Sequence, residues 1–176
     1  MEASEHALIP PRAQTIKRME TELAAANWNL GYLASEELPR IALAWLSTGL
    51  DSPSLRILAG ESQPIMSEVG PMFERALQEL NIPTPSPAEA TMQIARHIAH
   101  EIVTGFRTPY AGAKEIWRLS SSCGTVDTLL AFVGQASDYE DFNDYQHLKY
   151  YGEEHCKKVV KEIEAEIIEE AHKLIH

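Results

Sequence analysis

Ile94, Ile98 and Ile102 recur every four residues, with Ala95 and Ala99 beside them. That spacing lines all five along one side of a helix and predicts an apolar face turned toward a core. Gly105 follows the stripe, where a glycine closes a helix end by taking a left-handed conformation free of a Cβ clash. Thr108 and Pro109 then open a second helix. Thr is a favoured N-cap, and Pro loses nothing in the first turn, where its N–H would have no partner. Ala113, Ile116 and Trp117 give this second helix its own apolar face, so the stretch from Ile94 to Leu119 predicts a central αα-hairpin. Gly112 lies inside that helix at a cost of about 1 kcal/mol relative to Ala, which calls for close approach by a neighbour.

The same period runs through the rest of the chain. Residues 1–11 read as a flexible lead-in, and the first helix begins at Arg12, with Ile16, Met19, Leu23 and Ala26 in phase, and ends between Asn27 and Gly31. Ser35, Glu36 and Glu37 start the next helix, because carboxylates suit its positive end. Leu38 occupies the place a capping box gives to Glu or Gln, and Pro39 is tolerable only in the first turn. Ile41, Ala44, Trp45 and Leu46 are its expected buried face, and Gly49 stops it. Asp51 or Ser52, with Pro53, opens a short helix closed by Gly60. Another runs from Ser67 to Leu80, with Met72, Phe73, Ala76, Leu77 and Leu80 inward and Pro71 in its first turn or at a kink.

The three prolines of residues 81–87 form the strongest break. It either divides two subdomains or is a rigid connector inside one helical domain spanning 12–176, and its shortness favours the connector. After Trp117 the run Ser120–Thr125 reads as a loop, with Thr125 or Asp127 capping a helix whose buried candidates are Val126, Leu129, Leu130, Phe132 and Val133. The last helix runs from Glu153 to Leu174, with Val159, Val160, Ile163, Ile167, Ala171 and Leu174 on one face. No segment alternates with the period of a strand, so the expected fold is all-α: a compact bundle of six to eight helices without a sheet.

A formal net charge of −11 disfavours nucleic-acid binding, which draws on clustered Lys and Arg, and suits either a basic partner or plain solubility. The two cysteines, Cys123 and Cys156, form no CxxC pair, so free thiols in the cytoplasm are expected. The N-terminal residues lack the apolar core of a signal peptide, and no run reaches the roughly 20 apolar residues needed to cross a bilayer.

Two clusters carry candidate chemistry. His97, His100 and Glu101 invite a metal, but Thr104 stands where a zinc-protease motif needs its second His. His97 and Glu101 are four apart, so they either share a metal with Asp138 or Asp141 or form a plain boundary pair. A metal-dependent helical enzyme built on these residues and the acidic run 138–144 is the alternative function. The second cluster is Asp138, Tyr139, Glu140, Asp141, Phe142, Asp144 and Tyr145, continued by Tyr150 and Tyr151. It lacks the glycine and terminal Glu of a calcium loop. It is either a solvated helix face with rings turned inward or a protein-contact surface, where rings anchor and charges steer. No nucleophile elbow, Walker loop or dinucleotide glycine pattern is present, and no cofactor is implied.

Two blocks of residues carry a resemblance. One is Ala44-Trp45-Leu46 to Gly49, Asp51-Ser52-Pro53, Leu55-Arg56 and Leu58-Ala59-Gly60, with Glu79 to Ile82. The other is Gly105, Pro109-Tyr110, Gly112-Ala113, Ile116-Trp117, Phe132-Val133-Gly134 and Ser137 to Asp141. Together they resemble small uncharacterised bacterial all-helical proteins, some of which look like toxin-immunity or accessory proteins. The blocks consist mainly of helix-end and packing residues and supply no active site. The resemblance implies an immunity-like or accessory role, and the acidic, aromatic 138–151 stretch adds the expected mechanism: a non-catalytic protein that docks a basic protein partner through that surface. The amphipathic last helix also allows a homodimer.

Overall fold

The computed structural model describes residues 11–123 and 127–176. The lead-in at 1–10, Thr125 and Val126 lie outside the described residues, as do the side chains of Ile16, Met19, Cys123 and Tyr145. Nine α-helices and one short 3-10 turn are present among the described residues, with no strand. The described residues divide into two compact units, the first ending at Ser86 and the second comprising Pro87–His176.

The first unit holds α1 (Pro11–Asn29), α2 (Glu37–Ser47), α3 (Pro53–Ala59) and α4 (Met66–Glu79). Phe73 of α4 sits at its centre, fully buried, with Trp28 of α1 edge-on at 5.4 Å and Trp45 of α2 at 5.7 Å. Gly70, one turn earlier, leaves room for the Trp28 ring, which would meet an added Cβ at 3.0 Å. The buried face of α2 is Leu38, Pro39, Ala42 and Trp45, while Ala44, expected inside, is exposed. Two alanines two residues apart look alike in a pattern, and the packing of Leu38 and Trp45 decides between them. Ser52 caps α3 by accepting from the Leu55 N–H at 3.2 Å. Glu79, at the end of α4, reaches the same helix start and accepts from the Ser54 N–H at 3.0 Å and its hydroxyl at 2.8 Å. α4 begins at Met66, which puts Pro71 inside the helix but on its exposed side, away from the core.

The second unit holds α5 (Pro87–Val103), α6 (Pro109–Cys123), the 3-10 turn Asp127–Leu129, α7 (Leu130–Asn143), α8 (Tyr145–Tyr151) and α9 (Glu153–Ile175). α5 packs on α6 and α9, α6 packs on α7, and α7 packs on α9, so four helices close a ring. Ridge-into-groove packing of four amphipathic faces gives one shared core. Ile94, Ile98, Ile102, Ile116, Phe132 and Ile167 fill it. Gly105 turns the chain after α5 with φ +74°. Gly112 lies against Ile102: an added Cβ would stand 2.5 Å from that side chain. The close approach expected from a helix-interior glycine therefore has a named neighbour.

Three local expectations change. The serine run after Trp117 is helical, because α6 continues to Cys123, with Leu119 and Ser120 buried. Leu130, expected inside, is 48% exposed. It follows a 3-10 turn, whose tighter winding shifts the phase of the first α-helical residues. The ninth helix arises because Asp144 breaks the acidic aromatic run into two. Among the described residues, no helix is long and apolar enough to cross a membrane.

Candidate functional site

The segment from Asp138 to Tyr151 covers the last turns of α7, the junction at Asp144 and all of α8. Asp144 leaves the helical region, with φ −71° and ψ 145°, and its carboxylate accepts from the Gln146 N–H at 2.8 Å. An aspartate at this place both pairs an orphan N–H and puts negative charge at the positive helix end. Its role is structural, and it sets the angle at which α8 leaves α7.

The rest of the acidic run divides between inside and outside. Tyr139 is half-buried and stacks on Tyr110 of α6, with ring centres 4.1 Å apart and planes 10° from parallel. Glu140 Oε1 accepts from the Tyr110 hydroxyl at 2.7 Å and from Lys114 Nζ at 2.5 Å, while Lys114 also donates to the Tyr110 hydroxyl at 2.9 Å. These four side chains clasp α6 to α7. Asp138 and Asp141 face the other way. They are three residues apart, so they share a helix face. Both are exposed, and their side chains have no partner among the described residues.

Phe142 begins a chain of rings that continues into α8 and α9. Its ring lies 5.6 Å from His147 and 6.3 Å from Tyr151. Tyr151 is the hub, with His147 stacked at 5.8 Å, Tyr150 edge-on at 4.7 Å and His155 at 5.7 Å. Tyr150 is 82% exposed and Tyr151 50% exposed. Aromatic side chains hold few rotamers, so an outward pair already braced by neighbours loses little entropy on being covered. His147 was not among the sequence candidates, although it is four residues before Tyr151 on one helix.

The clasp sets the charge states around it. The Lys114 hydrogen bond first, and then that of Tyr110, hold the Glu140 carboxyl below its ordinary value of 4.5. The same contacts, Glu140 first, hold the Lys114 ammonium above its ordinary range. Burial, and then the charge of Glu164, push the Tyr139 phenol upward. A carboxyl lowered by folding adds stability that is complete above its unfolded value and is lost as pH falls through the lowered one. Thermal stability should therefore decline below pH 4.5. Glu140→Gln should lower the melting temperature at neutral pH and make that acid decline shallower, as followed by circular dichroism against pH. An unchanged acid slope would remove this contribution.

The other cluster is arranged differently. His97 Nε2 lies 3.5 Å from Glu101 Oε1, and Glu101 Oε2 accepts from Arg107 Nε at 2.8 Å. Arg107 also pairs with Glu115. Glu101 is thus taken up by Arg107, which ties the end of α5 through the corner to Glu115 of α6. His100 is exposed on another side of α5. Among the described residues, no three His, Cys, Asp or Glu side chains come together in a way that holds a metal ion. Cys156 is a free, buried thiol.

Compared with known proteins, the chain matches no family model, no curated protein and no solved structure.

Proposed function

We propose that this is a protein-binding protein that docks a basic partner through the outer side of the Asp138–Tyr151 segment, in the manner of an immunity or accessory protein. One observation carries the reading: Tyr150 and Tyr151 stand outward on a braced ring cluster, in the same segment as two unpaired carboxylates. Exposed rings of this kind supply the anchors of interfaces, and unpaired acids at the margin steer a partner of opposite charge. The net charge of −11 adds a long-range field of the same sign. Glu140 and Tyr139 have other work in the clasp, and Asp144 caps α8, so the contact set reduces to Asp138, Asp141, Tyr150 and Tyr151.

Asp138→Lys/Asp141→Lys is the matching variant, with Glu140 left in place so that the α6–α7 clasp stays intact. Its affinity for a partner recovered from the native host should fall by about tenfold, a loss of about 1.4 kcal/mol. The loss should shrink as salt is added, because exposed charges are screened over roughly 8–10 Å near physiological ionic strength. Equal affinity of variant and wild type would remove the proposed mechanism.

A further inference from the structure

The unit also has a concave feature, next to the ring cluster. A groove of 690 Å³ opens between the end of α7, α8 and the first half of α9. Cys156 is buried at its base, and the half-buried Phe142, Leu148 and Val160 line it. Exposed Lys149, Lys157 and Lys161 line the same groove, with Glu153 and Glu164. Lys157 is paired with Glu153 at 2.5 Å. Lys149 and Lys161 have no partner among the described residues.

This arrangement runs against the rest of the chain. In a protein with 15 basic and 26 acidic residues, the groove gathers three ammonium groups against two carboxylates. Lys157 and Lys161 are four residues apart on one helix, an unfavourable like-charge spacing, and Glu153 offsets only Lys157. The size lies within the range of small-molecule sites, and such sites combine an apolar lining with a few polar groups that orient the ligand.

We propose that the groove binds a medium-chain alkyl carboxylate, with its tail along Phe142, Leu148 and Val160 and its carboxylate between Lys149 and Lys161. The apolar lining accounts for the tail, and the two unpaired ammonium groups account for the sign of the head. Ammonium groups with no protein partner meet a carboxylate as charge-assisted hydrogen bonds, which are stronger than neutral ones. Neither Asp138 nor Asp141 takes part, although the groove shares Phe142 with the ring cluster and Lys149 lies beside Tyr150 and Tyr151.

Titration calorimetry with dodecanoate, kept below its micelle concentration, tests the assignment. The expected result is saturable binding at one site with a dissociation constant on the order of 100 µM. Dodecyltrimethylammonium, with the same tail and the opposite charge, should bind at least about tenfold more weakly. Lys149→Gln/Lys161→Gln, two exposed positions, should lose about tenfold in affinity for dodecanoate with helical content unchanged. Val160→Trp should block the groove. Absence of saturable binding, equal binding of the two detergents, or an unaffected lysine double variant would overturn the proposal. So would light scattering that shows a dimer dissolved by the lysine changes, because a second copy would then occupy the groove.

Discussion

Phe73→Ala is expected to cost about 3–5 kcal/mol of folding stability, the largest loss of any single change in the first unit. The ring is fully buried and touches both tryptophans of that unit. Truncation removes the ring from a core that also holds Leu55, Leu58 and Leu77. It leaves a cavity that small neighbours such as Ala25, Ala42 and Ala76 cannot fill. It also removes two ring pairs, each worth about 0.5–1.5 kcal/mol beyond area burial. Urea denaturation followed by tryptophan fluorescence reads the effect directly, because Trp28 and Trp45 report on the site that changes. Phe73→Leu, which keeps most of the volume, should lose far less. A cost below about 1 kcal/mol for the alanine variant would show that the three rings do not form the centre of this core.

The second large effect concerns a glycine, and its sign is opposite to the usual rule. Alanine in place of a helix-interior glycine normally stabilises by up to about 1 kcal/mol. Gly134 of α7 should follow that rule, since nothing lies within 4 Å of an added Cβ there. Gly112 should not. Its added methyl would collide with Ile102, a β-branched side chain that is only 3% exposed and has few other rotamers in a helix. Overpacking of this kind costs about 1–3 kcal/mol, so Gly112→Ala should be destabilising by up to about 2 kcal/mol after the propensity gain is subtracted. The two substitutions are the same chemical change in neighbouring helices. A thermal melt in which both stabilise would contradict the packing of α5 on α6, and one in which both destabilise would contradict the open space beside Gly134.

These contrasts mark what sequence can and cannot carry. The stripe Ile94–Ile98–Ile102 was legible because large branched residues repeat at a spacing that only a helix turns to one side. Gly49, Gly105 and the Ser52–Pro53 start were legible because each answers a local backbone need. Ala44 and Leu130 were misplaced for another reason. Burial at a helix edge depends on the neighbour that arrives, and neither residue's own pattern contains that neighbour. The continuation of α6 through Ser120 and Ser121 was hidden by composition. Serines favour turns in isolation, yet here Ser121 bonds back to the Trp117 carbonyl at 3.0 Å while Leu119 is held inside.

The candidate surface was partly legible in the same sense. Its composition announced charge and rings together, but not which of them face out. The partners of Glu140 lie 26 and 30 residues away, at Lys114 and Tyr110, and only the packing of α6 on α7 brings them to it. Asp144 counted only as a member of the acidic surface, although an aspartate ahead of a helix is a common cap and it caps α8. The lysine-lined groove gave no signal in sequence order, because its residues come from three helices.

The most direct measurement is site-specific photocrosslinking in the native host, with the reactive group placed at position 150 and, as a control, at Ile57, which is also exposed. The docking account predicts that position 150 captures one basic protein, that position 57 does not, and that Asp138→Lys/Asp141→Lys lowers the capture by about tenfold. Capture of the same proteins from both positions, or capture at 150 that is undiminished by the double charge reversal, would contradict it.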